Sequence, residues 1–299
     1  MATMRLIQRR RQATANIRKV THTMETVSSV RYRQFYRMWS EGLEFYNALA
    51  QLAYLVVSPE QPIMHPLMQA NDSKTQVIVV TGSNRGLCGA YNGNLCRLVD
   101  VHVRMAQRFG RTLKIYAHGR RVLQYLNNRG IAIERELDEF DEVPSPDQVR
   151  SLADQLTKDY LAGRIGRLGV VYTRFFSPAS QKAQTLTILP LPDLVEDLTT
   201  RATVIWPWHA AYEDHLLIPT GEEIFDGLAT LMIRTALAGC FQEAACSEHL
   251  ARVVAMRNAT DNAEEMIEDL TREYNRARQG QITGEMLDIV GGALAVTRK

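Results

Sequence analysis

TGEEIFDGLATLMIRTALAGCFQEAACSEHLARVVAMRNATDNAEEMIEDLTREYNRARQGQITGEMLDIVGGALAV, residues 220–296, contains no proline. It opens on a capping box: the Thr220 hydroxyl can accept from the Glu223 N–H while the Glu223 side chain reaches back. Pro219 keeps the preceding chain from running into the helix. From Met256 the small or apolar positions step by four and three through Thr260, Ala263, Ile267, Leu270, Tyr274 and Ala277, which is one edge of a coiled coil. The seam slips near Gly280 and resumes at Ile282, Met286, Ile289, Ala293 and Val296. At 1.5 Å per residue the helix would span roughly 110 Å. A helix of that length needs a partner helix or a sleeve supplied by another protein.

The partner lies at the other end of the chain. Met4 to Val57 is again free of proline. The apolar positions Ala13, Ile17, Val20, Met24 and Val27, then Met38, Phe45, Ala48, Leu52 and Leu55, predict its seam. Polar Arg31, Gln34 and Glu41 take the skipped positions. The run closes at Ser58-Pro59, where the proline ring disfavours helix at Ser58, after roughly 80 Å. If both helices leave a common base they run antiparallel, and the longer one overshoots. The expected division is an N-terminal coiled-coil helix 1–58, an α/β base 59–219 and a C-terminal coiled-coil helix 220–299.

Composition fits a folded chain: of 299 residues, 45% are hydrophobic and 23% charged. A net charge of +2 is too balanced to imply a polyanion partner for the whole chain. The distribution is uneven, with nine Arg or Lys against Glu25 alone within residues 1–40. Such a face can be simply solvated, can serve acidic protein loops, or can bind nucleic acid. The same start resembles a mitochondrial presequence, but it continues unbroken into the heptad pattern and reads as part of the helix. No run of about 18 consecutive apolar residues is present, so no membrane span is expected. Cys88, Cys96, Cys240 and Cys246 form no CxxC and have no zinc-like spacing with histidine, so reduced thiols are expected.

Between the helices, 58–74 reads as a connector. Gln76–Thr81 (QVIVVT) is a buried strand, ending in the glycine-rich turn Gly82–Gly89 and a helix over Tyr91–Arg108. A second strand at Leu113–Ala117 precedes a helix over Arg120–Asn128, and Ile131–Arg135 is a candidate third strand. Ser145-Pro146-Asp147-Gln148 is a capping box opening a helix to Leu161. Strands at Leu168–Phe176 and Thr185–Leu189 follow. This alternation indicates a largely parallel, Rossmann-like α/β sheet. The glycine-rich turn lies where a phosphate loop would, but it is neither GxxxxGK[ST] nor GxGxxG and reads as a tight turn seating its helix. No HExxH or nucleophile elbow occurs. No catalytic, cofactor or metal residues are expected.

Three stretches carry a family resemblance: Ile17–Met24 (IRKVTHTM), the run RGLCGAYNGNL from Arg85, and Ser247 to Ala293, with SEHLARVVAMRNATDN, YNRARQGQIT and EMLDIVGGA. The chain resembles the γ subunits of F-type ATP synthases, as a divergent bacterial-type member. The resemblance implies two long helices in an antiparallel coiled coil flanking an inserted α/β domain. It also implies a central stalk without an active site of its own. Such a stalk turns inside a ring of α and β subunits, with the ε subunit and the c ring at its base, and couples ion translocation to ATP synthesis or hydrolysis. It implies a peripheral place in the F1 sector on the cytoplasmic face of the cell inner membrane. Arg278, Gln279 and Thr283 match positions that engage loops of the catalytic subunits. Met24, with Arg252 and Arg257, matches the region near the acidic lever of β. Coiled-coil packing for Met24, and a solvated face for Arg278 and Gln279, are the plainer readings. Departures are His22 for the frequent lysine, Thr26 and Tyr32 for methionines, and Gly280 for alanine. Ile205–Pro219, the c-ring contact of the family, does not match. A nucleotide-binding α/β domain with a coiled-coil dimerisation arm is the rival reading.

Overall fold

The computed structural model describes residues 2–56, 64–201 and 220–297. The chain divides into two compact units, Met1–Ser28 with Arg252–Lys299, and Ser29–Ala251. Helix α1 (Ala2–Val56) and helix α6 (Gly221–Thr297) each contribute to both. Between them come β1 (Thr75–Thr81), α2 (Tyr91–Arg108), β2 (Thr112–His118), α3 (Arg120–Asn128), β3 (Arg135–Glu136), α4 (Pro146–Leu161), β4 (Arg167–Ser177), β5 (Ser180–Leu189) and α5 (Leu191–Arg201). The expected closure of α1 at Ser58-Pro59 and the stretch Ile205–Pro219 lie outside the described residues.

In the larger unit the strands run in the order β3-β2-β1-β4-β5. β1 pairs in parallel with β2 and β4, and β2 with β3, while β4 and β5 form an antiparallel hairpin. Alternation along β1 sorts the core into two layers. Val77 and Val79 face a cluster containing α4 and the first part of α6, including Phe225, Met232, Leu237 and Phe241. Ile78 and Val80 face Leu95, Val99, Val122 and Leu126 of α2 and α3. A strand buried on both faces must be apolar at successive positions, which is why QVIVVT reads as a continuous run.

The predicted helices over 91–108, 120–128 and 146–161 are observed with those limits. Ser145 and Gln148 make both bonds of the capping box. The third strand is two residues long and shares only Arg135 with the predicted one. Ile131 and Ile133 spend their apolar surface against the α2–α3 cluster instead. Helix α5 has no counterpart in the sequence reading; Pro192 sits at its second residue, where a proline is tolerated.

Within the same unit Tyr46 of α1 crosses α6 at Gly239 and donates to Thr235 O at 2.6 Å. A Cβ at Gly239 would lie 1.6 Å from the Tyr46 hydroxyl, so only glycine admits this crossing. Part of α6 is long and apolar enough to cross a membrane by composition, although no uninterrupted apolar run was found; more than half of that window is buried in the protein itself. Its apolarity serves a core helix.

The smaller unit is an antiparallel helix pair. Thr21 Oγ1 lies 2.8 Å from Thr260 Oγ1, Glu25 pairs with Arg257 at 3.0 Å, and Arg18 pairs with Glu264 at 3.0 Å. On α6 the predicted seam is correct: Met256, Thr260, Ala263 and Leu270 are buried, and Ile267, Tyr274 and Ala277 are half-buried. On α1 the predicted seam is displaced by one residue. The buried positions are Ile7, Thr14, Thr21 and Ser28, at intervals of seven, whereas Ala13, Ile17, Val20 and Val27 are exposed. In the larger unit Met38, Phe45, Ala48 and Leu52 are likewise exposed, while Phe35, Leu49, Ala50, Ala53 and Val56 are buried. The periodicity was right and the face was not. Short Thr and Ser side chains at the contact let two helix backbones approach closely, so the interface is less apolar than the stripe beside it.

Arg11 stacks its guanidinium over Tyr274, 5.5 Å from the ring centroid. Beyond this the seam ends: Ile282, Met286 and Ile289, expected to resume it, are exposed, as is every residue from 282 to 290. The expected overshoot of α6 is present in this unit. The side chains of Ala293 and Val296 lie outside the described ones.

Candidate functional site

A doubly wound sheet offers its ligand crevice at the carboxyl ends of the strands. Here the turn after β1 is closed by its own side chains. Ser83 N donates to Asn92 Oδ1 at 3.1 Å, Asn92 Nδ2 donates to Ser83 Oγ at 2.7 Å, and Ser83 Oγ donates to Arg85 O at 2.7 Å. Asn84 Oδ1 accepts from the Arg120 N–H at 3.2 Å, tying the turn to the start of α3. A Cβ at Gly82 would meet Val122 Cγ2 at 2.2 Å. The glycine thus serves close packing on α3, as the tight-turn reading requires.

Helix α6 fills the strand ends themselves. Glu243 accepts from the Phe175 N–H at 3.0 Å, Ser247 donates to Thr173 O at 3.2 Å, and the Tyr91 hydroxyl lies 3.2 Å from Ala244 O. His118, at the end of β2, is buried beside Phe241, 5.6 Å between ring centroids. Desolvation holds its pKa below the ordinary histidine value, so the ring is neutral at pH 7. Phe241, Glu243 and Ser247 would have to leave before a ligand could enter at these strand ends. All four cysteines are buried and none is in a disulfide. Burial pushes Cys96 up to about 11 and Cys246 up to about 12, so neither is a thiolate nucleophile at neutral pH. Among the described residues no cluster of three His, Cys, Asp or Glu side chains could hold a metal.

The positions singled out on the helix pair fall into two groups. Met24 is half-buried on α1. Its neighbour Glu25, with 14% of its side chain exposed, binds Arg257 and approaches His22 Nδ1 at 3.8 Å. Arg257 is therefore held beside Met24 through Glu25, a partner that the seam analysis did not single out. Arg252 is 7% exposed and engaged within the protein, so it is no open cation. Arg278, Gln279 and Thr283 are exposed and, among the described residues, make no side-chain hydrogen bond or ion pair. They lie on the unpaired part of α6, roughly 30 Å along the helix from Arg257. The structure does not gather the six into one cluster. Sequence reading also missed the open stripe of Leu6, Ile17, Val20 and Val27 on α1, because its apolar periodicity was assigned to the helix–helix seam.

The fold is a long antiparallel helix pair in one unit and a five-stranded α/β sheet in the other. The ATP synthase family model matches residues 3–296. An ATP synthase gamma chain from Rhodopirellula baltica is 33% identical over 297 residues, 99% of each chain. One from a Synechococcus species is 32% identical over 314 aligned positions, 99% of this chain and 100% of the other. A chain of the Euglena gracilis mitochondrial ATP synthase in an OSCP/F1/c-ring assembly shares the fold, with a TM-score of 0.65 at 19% identity, covering 99% of this chain and 95% of that one. A rotor chain of the same Euglena enzyme gives 0.59 at 20% identity, covering 94% and 99%. The chain belongs to the ATP synthase gamma-chain family. It is a central-stalk subunit of the F1 sector, peripheral to the membrane, and not itself an enzyme.

Proposed function

We propose that the antiparallel pair of α1 and α6 turns inside a sleeve of ATP synthase α and β subunits, and that the α/β base meets the ε subunit and the c ring. In this reading the chain couples ion translocation to ATP synthesis or hydrolysis at the cytoplasmic face of the cell inner membrane. The segments 1–58, 59–219 and 220–299 then act as N-terminal helix, base and C-terminal helix. The observation that carries this is the apolar stripe of Leu6, Ile17, Val20 and Val27, which the helix pair leaves open to solvent. Each of these side chains is already about half covered, so covering the rest of one is worth about 1–1.5 kcal/mol, and the stripe favours being surrounded. The polar contacts around it are of a kind easily remade: Arg18–Glu264 is exposed on both sides, and such pairs contribute about 0–1 kcal/mol. A shaft whose seats are shallow can move among several of them.

Met24 and Arg257 form one contact zone in this proposal, with Arg252 bracing the helix behind it. Arg278, Gln279 and Thr283 form a second zone, on catalytic-subunit loops. Met24→Lys adds a cation next to the Glu25–Arg257 pair and to the β lever. The variant is expected to assemble and hydrolyse ATP, with a lower pumping-to-hydrolysis ratio and a higher activation energy. Arg278→Ala with Gln279→Ala is expected to slow ATP synthesis without loss of assembly. Unchanged coupling in both variants of the assembled complex would overturn the assignment.

A further inference from the structure

Helix α2 and strand β5 meet along a shallow groove of about 360 Å3 lined by Asn94, Arg97, Leu98, Val101, Gln181 and Lys182. His102 Nε2 and Thr185 Oγ1, 2.7 Å apart, tie its two walls together. Leu98, Val101, Met105 and Phe109 follow at steps of three, four and four, so they share one face of α2 and its end. Leu98 is half-buried against the core; Val101, Met105 and Phe109 are exposed, the last at 59%. The exposed surface of Val101, Met105 and Phe109 belongs to none of the buried core clusters.

The charge around the stripe has one sign. Arg97, Arg104 and Arg108 project from the same side of α2, and Lys182 stands on the opposite wall. Arg108 and Arg111 bracket Phe109, with guanidinium carbons 5.8 and 5.9 Å from the ring centroid. The sole acid of α2, Asp100, is taken by Arg129 and Tyr125, each at 2.7 Å. Among the described residues Arg97, Arg108 and Lys182 have no carboxylate at ion-pair distance.

We propose that this groove docks an acidic amphipathic helix of a partner protein. From Leu98 to Phe109 the stripe is roughly 16 Å long, about three turns of helix. Apolar side chains spaced at i, i+3, i+7 and i+11 on the partner would enter the groove, and carboxylates beside them would meet Arg97, Arg104, Arg108 and Lys182. Leu98 and Val101 line a recess between two walls, which a helix fills and a flat anionic bilayer does not. The proposal is independent of the coupling role above and its failure leaves that role untouched.

The test uses the full-length chain and a fluorescein-labelled 18-residue helical peptide with leucines at that spacing flanked by glutamates. Controls are the same peptide with lysine for each glutamate and phosphatidylglycerol vesicles. Binding of the acidic peptide in the micromolar range is expected by anisotropy in 0.15 M salt, with the lysine peptide at least tenfold weaker. R97E/K182E and Val101→Asp each change exposed groove residues, so melting should be unaltered while affinity falls at least tenfold. An acidic peptide that does not bind, or that binds these variants as it binds wild type, overturns the proposal. So does vesicle binding that R97E/K182E abolishes while peptide binding is absent, which would assign the groove to a membrane.

Discussion

Thr21 is the position at which the two possible registers of α1 make opposite predictions. It is 8% exposed, with its hydroxyl 2.8 Å from that of Thr260, while Val20 next to it is 56% exposed. Thr21→Leu adds bulk where the helices touch, which costs about 1–3 kcal/mol by overpacking, and it removes a hydrogen bond worth about 0.5–1.5 kcal/mol. A loss of about 2–4 kcal/mol in local stability is expected, or roughly 30- to 700-fold in an opening equilibrium. Val20→Thr changes an open surface and should stay within about 0.5 kcal/mol. The pair of changes Thr21→Val and Thr260→Val keeps the shape while removing both hydroxyls, and should lie near wild type. Native-state hydrogen exchange of residues 10–28 in the full-length chain reads this opening directly. If Val20→Thr speeds exchange more than Thr21→Leu does, the apolar stripe is the true seam and the structural register is wrong.

Two further substitutions test the packing. Gly239→Ala should destabilise the larger unit by about 1–3 kcal/mol, because its Cβ would collide with the Tyr46 hydroxyl; Gly280→Ala, with nothing within 4 Å, should stabilise its helix by about 1 kcal/mol. Exchange rates in the two segments should move in opposite directions, and a matched response would refute the assignment of Gly239 to the crossing. Burial pushes the Asp100 carboxyl up, but bonds from Tyr125 and Arg129 and the charges of Arg129 and Arg104 outweigh it and hold the group below the usual carboxylate range. A lowered folded-state pKa gives stability that is present above the unfolded value of about 3.9 and lost as pH falls through the folded one. Thermal melts of wild type and Asp100→Asn should therefore differ at pH 6 and converge at acid pH; a constant gap would contradict this linkage.

The sequence by itself determined the elements whose signals are local. The Ser145–Gln148 capping box, the continuous β1 run and the proline-free terminal stretches each carry their physics within a few residues, and each is observed. The tight turn at Gly82–Gly89 was legible too, and the Ser83–Asn92 bonds and the close approach of Gly82 to Val122 are observed. Tertiary structure decided which face of α1 is internal. Hydrophobic periodicity marks the most apolar face of a helix, but close approach of two backbones favours short side chains, so Thr14, Thr21 and Ser28 took the contact and Ile17, Val20 and Val27 were left outside. It also decided that Phe241, Glu243 and Ser247 close the strand ends of the sheet. They lie more than 150 residues beyond Gly82 in the chain, and a contact made across that separation depends on the fold that brings the two together, which no local pattern encodes.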